Sequence, residues 1–598
     1  PKAKEAVIAR DRSFNRSCKP KSQNRTRVRE GKSTRAPRVN PNERIVEFPN
    51  EHLCISAGKL FCGVCRTVVQ TKKSIVRSHV LSKHHLLSKE RRVKSKNHQA
   101  TITKSWKVYQ EKKADELKGT GLTKATGDTT VLRRANVVES FLKAGVALTK
   151  IDHLRPLLEN NNLNLTHSSH MAQLVPFLLE VELEKLKEEI KQAQHVAVIF
   201  DGTTHLGEAF AIIIRYVDAS WCIQQRLVRM HVLAKSMRGT EMARELIACL
   251  STFLQIPANK PVAFVRDGAS VNTVAVRHVV DLLYPSSMDV VCASHSLNNI
   301  GDHFDTPTLD EFCQWWVSLF SRSHATKLAW KTRTGVSPKS HSATRWWSLW
   351  EVLEQLLKYF GDVQPFLEEC ESSPNACRRL LSILQNETAP DSCDMLRMEL
   401  AATVDFGEPF VRKTYIIEGH GMLSVDAYTH LQEVATAAQD AVYPNVEALV
   451  KDIAPGDVGR QNQLKEHANG CVRPAIRYFL TKFNHEDSPL FANVLAYKAA
   501  RLCCPIFVAK TNPVPALVDG LRAFPPLDKD GTIQQLKMEL AAYKVAAADT
   551  QPGQDRLSWW RDQVQLTVWQ NARIVITVPP SSAAAERVFS LLEAATSS

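Results

Sequence analysis

The feature of the sequence that most constrains its fold is a change of hydrophobic period near residue 195. From Val131 to Lys191, apolar residues recur at the spacing of amphipathic helices. Beyond that point, apolar and polar residues alternate, which is typical of strands. The alternation predicts three successive strands and then two more that are separated by a helix, at 195–202, 208–218, 221–233, 261–268 and 288–294.

Three strands followed by alternating helices and strands is the order of a ribonuclease-H-like mixed sheet with flanking helices. From residue 310 to about 555 the strand pattern vanishes, and segments such as WWSLWEVLEQLLKYF and IQQLKMELAAYKVAA have helical spacing. A block of that length is large enough to form a domain. We therefore expect a multidomain α/β protein with a large all-α block after the sheet.

Positive charge is concentrated near the start of the sequence. Residues 1–118 carry 30 Lys and Arg against 10 Asp and Glu, whereas the other 480 residues carry 47 against 52. This distribution favours a polyanionic partner, most often nucleic acid. Residues 1–40 are basic and poor in large apolar side chains, which predicts a disordered arm. Composition leaves open whether the arm is a nuclear targeting signal or a phosphate-binding tail.

Two classes of protein are disfavoured. No apolar run approaches the ~20 residues that span a bilayer, and the first residues lack the apolar segment of a secretory signal. The 14 cysteines are scattered without the spacing of a disulfide framework, as expected of reduced thiols in an intracellular protein. We expect neither a membrane nor a small-molecule substrate as a partner.

One motif predicts a zinc site. Cys62 and Cys65 form a C-x2-C pair, and His79 follows after 13 residues, with His84 and His85 close behind it. A cysteine turn and two imidazoles from one helix face suit a tetrahedral Zn2+ ion. The spacing leaves the fourth ligand open between His84 and His85, and the alternative is two stray cysteines beside a His-rich helix. Basic side chains on or beside that helix are placed to contact phosphates, namely Lys72, Lys73, Arg77, Lys83, Arg91 and Arg92.

Two carboxylates end predicted strands. Asp201 closes the segment VIFD, Asp267 closes AFVRD, and Gly follows each of them. Carboxylates at the ends of neighbouring buried strands repel one another, and divalent cations are the usual compensation. The pair predicts a Mg2+ site suited to in-line phosphoryl displacement. In the alternative interpretation, each Asp-Gly pair simply ends its strand as a turn.

Three further motifs are weaker. Cys292 and His295 end another predicted strand, and two ligands favour a structural pair over a zinc site. Arg345 precedes Trp346, the first of two adjacent Trp residues, which indicates either core packing or stacking on an unpaired base. Glu586 lies in the second turn of a predicted helix.

Taken together, these motifs resemble the hAT superfamily of DNA transposases over most of the chain from residue 43 onward. The segment GKLFCGVC…RSHVLSKHH also resembles the CGG triplet repeat-binding protein, a small nuclear DNA-binding relative, and this likeness implies His85 as the fourth zinc ligand. The hAT resemblance implies that Asp201, Asp267 and Glu586 are three catalytic acids, which bind Mg2+ or Mn2+.

The same resemblance implies roles for the weaker motifs. Cys292 and His295 match the family's C-x2-H motif, which supports the active site. Arg345 and Trp346 match its RW motif, whose Trp stacks on a flipped base near the transposon end. The long gap before the third acid corresponds to the family's helical insertion domain, which interrupts the catalytic core.

Patterns and resemblance together predict seven regions. They are a disordered basic arm (1–42), a BED-like zinc finger (43–98), a linker (99–130), a helical dimerisation or DNA-binding region (131–191), the first part of the ribonuclease-H-like core (192–309), a helical insertion domain (310–555), and the second part of the core with a short C-terminal dimerisation segment (556–598).

The expected function is that of a nuclear DNA-binding protein of hAT type, which cleaves and transfers DNA strands with Mg2+. Its expected partners are double-stranded DNA and further copies of itself. The alternative is a domesticated, non-catalytic descendant that regulates transcription through the zinc finger. A third interpretation is an interaction scaffold that dimerises through its C-terminal segment.

Overall fold

The computed structural model describes residues 40–56, 59–65, 67–89, 128–160, 165–203, 208–233, 236–321, 323–341, 346–370, 373–440, 442–551 and 553–597. The chain divides into two compact units, and the division lies between Leu178 and Leu179. It falls inside the helical region predicted at 131–191, while the other predicted boundaries stay predictions. The predicted basic arm and linker lie almost wholly outside the described residues.

The first unit begins with a small antiparallel sheet and short helices. Helix α1 (Pro41–Glu47) starts after Asn40, whose side chain accepts a hydrogen bond from the Asn42 N–H. Strands β1 (Leu53–Ser56), β2 (Lys59–Cys62) and β3 (Thr67–Val68) lie in that order in the sheet. Helix α2 (Lys73–Val80) and a helical segment at 83–89 follow.

The hydrophobic core of this small sheet is slight. Its buried apolar residues, as far as the structure describes them, are Leu53, Leu60, Cys62, Val69, Val76 and Val80. A core of this size provides little stability without a metal or a partner. The described helices after it are α3 (Asp128–Lys143), α4 (Lys150–Asn160), α5 (Ser168–Met171) and α6 (Val175–Gln192).

A five-stranded mixed sheet lies at the centre of the second unit. Its strands are β4 (Val196–Thr203), β5 (Glu208–Val217), β6 (Ile223–Leu233), β7 (Pro261–Arg266) and β8 (Met288–Val291). The order across the sheet is β6-β5-β4-β7-β8. Neighbours among β6, β5 and β4 pair antiparallel, whereas β4, β7 and β8 run parallel. The five predicted strands are therefore confirmed at the predicted places.

Helices cover this sheet because both of its faces are apolar. Helix α7 (Gly239–Ile247) precedes β7, α8 (Ser270–Leu283) connects β7 to β8, and α9 (Ala293–Asn298) follows β8. Side chains alternate between the two faces with a period of two. Val198 and Phe200 of β4 belong to a core that is shared with α6, α7 and α8.

The opposite face of β4 belongs to another core. Ala197 and Ile199 contact the second core, which extends into the helices that follow the sheet. Asp201, two residues beyond Ile199, lies on this same face by alternation.

After residue 306, the described residues form helices and connecting loops without a strand. These helices are α10 (Pro307–Ser321), α11 (His324–Thr334), α12 (Trp346–Lys358), α13 (Phe360–Glu369), α14 (Pro374–Leu384), α15 (Ser392–Ile417), α16 (Leu423–Asp440), α17 (Pro444–Ile453), α18 (Val458–Asn484), α19 (Pro489–Ala500), α20 (Pro505–Thr511), α21 (Asp530–Ala548), α22 (Arg556–Asp562), α23 (Ala572–Thr577) and α24 (Ala583–Ser597). The fold is therefore mixed α/β and mostly helical.

Over the described residues, no single helix has both the length and the apolarity needed to cross a bilayer. One bent pair, Pro489–Cys503 with Pro505–Thr511, reaches those limits by length and composition only when the two helices are taken together.

Candidate zinc centre and carboxylate cluster

Four potential metal ligands of the first unit converge. Cys62 ends β2, Cys65 lies in the following turn, His79 is in α2 and His85 is in the segment at 83–89, and their ligand atoms lie within 4.8 Å of one another. His85 Nδ1 lies 3.4 Å from each of the two sulfur atoms. Zinc bonds of about 2.0 Å to nitrogen and 2.3 Å to sulfur, at tetrahedral angles, place N and S about 3.5 Å apart. The four side chains therefore fit a tetrahedral zinc ion.

The electrostatics of this cluster also suit a cation. Nε2 of His79 is buried without a hydrogen-bond partner among the described residues, although buried polar atoms normally have one. Burial lowers the pKa of His79, so the neutral, metal-binding form is favoured. Burial and the neighbouring Cys62 sulfur raise the pKa of Cys65 to about 11. A shared cation would satisfy both the orphaned nitrogen and the crowded sulfurs.

The structure decides between the two histidines that the spacing left open. His85 is fully buried in the cluster, whereas His84 is exposed. The other ring nitrogen of His85, Nε2, lies 2.9 Å from Glu51 Oε2, and such a carboxylate orients a metal-binding imidazole. Sequence reasoning missed Glu51 because no local motif connects it to a histidine 34 positions further on.

Basic side chains surround this candidate zinc centre. Four of the predicted phosphate contacts are exposed, namely Lys72, Lys73, Arg77 and Lys83. Lys73 and Arg77 are four residues apart on α2, so they lie on one helix face. Lys73 Nζ also lies 3.2 Å from Glu47 Oε1, an ion pair within the unit. Arg91 and Arg92 lie outside the described residues.

A second cluster lies in the other unit. Asp201 near the end of β4, His295 in α9 and Glu586 in the first turn of α24 place their ligand atoms within 4.8 Å of one another. His295 Nε2 lies 3.4 Å from Glu586 Oε1, and Asp201 is only 5% exposed. Two carboxylates that meet in this way offer the oxygen ligands of a divalent cation.

Asp267 lies beside this cluster but is not among the ligands that meet within 4.8 Å. Ile199 of β4 pairs with Val265 of β7, so the register places Asp267 next to Asp201. However, Asp267 Oδ1 accepts a hydrogen bond of 2.9 Å from the Ala269 N–H and another from the Asn272 side chain. The structure thus brings two of the three predicted acids together.

Cys292 ties the start of α24 to the sheet. Its sulfur accepts a hydrogen bond of 3.2 Å from the Ser582 N–H. The next residue, Ala293, donates its N–H to the Pro580 carbonyl at 2.8 Å. These contacts hold the residues just before α24 against the end of the sheet. Glu586, in the first turn of α24, therefore lies over the end of β4.

Cys292 and His295 shift each other's protonation. Burial raises the pKa of the Cys292 thiol, but the nearby His295 outweighs it and lowers the pKa to about 7. Burial lowers the pKa of His295, whereas Cys292 and the carboxylates of Asp201 and Asp267 raise it to about 9. Each shift favours the charged form of its group, and a protonated His295 would offset the charge of the acids.

Trp346 is packed in the protein. It is half-buried, and its ring stacks on Phe304 with centroids 5.2 Å apart. A Cβ atom on Gly301 would lie only 1.8 Å from Trp346 Cγ, so the ring rests directly on that glycine. This is the core packing of the alternative interpretation, and base stacking by Trp346 stays a prediction. Arg345 lies outside the described residues.

Comparison with known proteins characterises the start of the chain. Residues 35–91 match the family model of the CGGBP1 N-terminal domain. The match includes the candidate zinc centre and its exposed basic residues, and it supports DNA binding by this part of the chain. No curated protein matches the chain. The predicted likeness of the finger is confirmed, whereas the resemblance of the remaining sequence to hAT transposases stays a prediction.

Proposed function

We propose that this chain is a nuclear protein that binds double-stranded DNA through the zinc finger at 43–98. The observation that carries the proposal is the Cys62, Cys65, His79 and His85 cluster, which lies within the match to the CGGBP1 N-terminal domain. Zinc bound there would contribute folding free energy to a unit with a slight core. The exposed basic side chains of α2, Lys73 and Arg77, would then contact the phosphate backbone.

Salt dependence of DNA binding tests this proposal. Replacing Arg77 with Ala should weaken duplex binding and reduce the log–log salt slope by about 0.9, the value for one phosphate contact. The matched control is Arg378→Ala, which removes an exposed cation from α14 in the other unit and should change neither quantity. An unchanged slope in Arg77→Ala would show that α2 does not face the phosphates.

A finer proposal concerns the second unit, which we infer to be a hAT-type core with a ribonuclease-H-like sheet that the helices from 310 to 555 interrupt. Its support is the strand order β6-β5-β4-β7-β8 and the meeting of Asp201 with Glu586, which lie far apart in the sequence. The resemblance adds self-association of the protein as a dimer or larger oligomer.

The residues of the cluster suit metal-dependent cleavage of a phosphodiester. Mg2+ or Mn2+ bound in such a site would activate a water or 3′-hydroxyl and would stabilise the leaving oxygen. Asp201 and Glu586 would provide the oxygen ligands, and Asp267 would add negative charge from the next strand. His295 would hold its ring against Glu586, and Cys292 would position the helix that carries this acid.

The finer proposal is tested by cleavage of DNA that carries the two ends of the corresponding transposon. Asp201→Asn and Glu586→Gln should each abolish Mg2+-dependent cleavage and leave DNA binding intact, because binding depends on the other unit. Asp281→Asn, an exposed position on α8, should cleave normally. Absence of cleavage by the unmutated protein would support the alternative function, a domesticated zinc-finger protein that regulates transcription without catalysis.

A further inference from the structure

A third group of potential metal ligands lies in the helical part of the second unit. Glu399 is in α15, and His467 and Cys471 are in α18, with ligand atoms within 4.8 Å of one another. Residues four positions apart share a helix face, so α18 presents His467 and Cys471 together. The two helices pack against each other, which brings Glu399 opposite this pair.

The distances match zinc coordination. His467 Nε2 lies 3.3 Å from Glu399 Oε1 and 3.8 Å from Cys471 Sγ. Zinc bonds of about 2.0 Å to N and O and 2.3 Å to S, at tetrahedral angles, separate N from O by about 3.3 Å and N from S by about 3.5 Å. A single ring nitrogen thus faces both other ligands at nearly the separations that one zinc ion imposes.

Burial supplies an independent reason for a cation. The Glu399 side chain is 1% exposed, and its Oε1 atom, which lies 3.3 Å from His467 Nε2, makes no hydrogen bond among the described residues. The other oxygen, Oε2, accepts the Leu309 N–H at 2.7 Å. When His467 Nε2 carries no proton, Oε1 is a buried carboxylate oxygen without a donor, which is costly. A cation beside Oε1 would remove that cost.

We propose that Glu399, His467 and Cys471 form a zinc site that links α15 to α18. The thiolate and imidazole favour Zn2+ over Mg2+, which prefers oxygen ligands. His467 is about one-third exposed, so water reaches the site and completes a four-coordinate shell. Through the Glu399 contact with Leu309, the site also links the start of α10 to these helices. The proposal does not depend on DNA binding or strand cleavage.

Zinc content of the full-length chain, measured by atomic emission after dialysis against metal-free buffer, tests this site. His467→Gln and Cys471→Ala should each lose one zinc ion per chain relative to the unmutated protein. His485→Gln, which changes an exposed histidine just beyond the same helix, should lose none. Cys65→Ser should remove a different zinc ion, so that its loss adds to that of His467→Gln.

Circular dichroism separates loss of metal from loss of fold. Since His467 is partly exposed, His467→Gln should keep the helical spectrum of the unmutated chain. Replacement by Co2+ gives a second readout, because the thiolate–cobalt absorption should decrease in Cys471→Ala. Unchanged zinc content in both His467→Gln and Cys471→Ala, or an equal loss in His485→Gln, would overturn the proposal.

Discussion

At the residue scale, Glu51 is the side chain that orients His85 toward the other three ligands. Partial burial raises the pKa of Glu51, but Lys89 and His85 outweigh it and lower the pKa, so the carboxylate is charged and accepts from the ring. Replacing a carboxylate that hydrogen-bonds to a metal-binding histidine typically lowers the metal affinity about 10–100-fold. Sequence spacing cannot reveal such a residue, since it binds no metal itself.

We therefore predict that Glu51→Gln weakens zinc binding about 10–100-fold. Competition with a chromophoric chelator measures the change. Glu43→Gln removes the same charge from an exposed position in the first turn of α1 and should leave zinc affinity unchanged. Equal affinities in Glu51→Gln and the unmutated chain would mean that His85 is held in place by packing alone.

Gly301 is a second residue whose importance only packing reveals. Because Trp346 rests on it, Gly301→Ala should destabilise the second unit by about 1–3 kcal/mol, the usual cost of overpacking. Gly470→Ala is the control, because a Cβ atom at this position in α18 meets nothing within 4 Å, and Ala in a helix interior is favoured by up to ~1 kcal/mol. Urea unfolding should move in opposite directions for the two variants.

At the scale of elements, the candidate zinc finger joins a sheet and a helix through few buried apolar side chains. The strands β1 to β3 and helix α2 share a slight core, so metal binding should provide much of their stability. This module could be predicted from the sequence because a single metal ion requires its cysteine and histidine ligands at characteristic spacings.

Loss of zinc from the finger alone should therefore unfold this module selectively. We predict that a strong chelator makes residues 43–89 susceptible to limited proteolysis, and that Cys65→Ser does the same while the unfolding transition of the second unit stays the same. Restoring Zn2+ should restore protection, and Mg2+ should not. Protection that persists in the metal-free chain would show that its core suffices.

At the scale of the whole molecule, the first part of the chain differs in net charge from the rest. The excess of Lys and Arg lies in the first 118 residues, and the rest is slightly acidic. Electrostatic binding to DNA should therefore depend mainly on the basic end.

Two deletions locate this contribution. Deleting residues 1–98 should weaken duplex binding strongly and flatten its salt slope, because the phosphate contacts are lost. Deleting residues 1–42 alone keeps the finger, so the difference between the two slopes measures the finger's share. A slope that survives the longer deletion would place a DNA-binding surface on the second unit that its net charge conceals.

Local patterns were sufficient to predict five strands, the long helical stretch and three members of the candidate zinc cluster. Hydrophobic period and ligand spacing act over a few residues, and those are the distances that a sequence displays directly. The same reasoning placed Asp201 and Asp267 at neighbouring strand ends, where the register of β4 and β7 puts them.

Tertiary structure decided what depends on residues far apart in the chain. It placed His85, which spacing alone could not separate from His84, in the cluster and set Glu51 beside it. It brought Glu586 and His295 to Asp201, while Asp267 accepts hydrogen bonds from Ala269 and Asn272. It also packed Trp346 on Gly301 and set Glu399 opposite His467. Each outcome follows from how helices pack on the sheet or on one another, because packing places side chains in contact without regard to their separation in sequence.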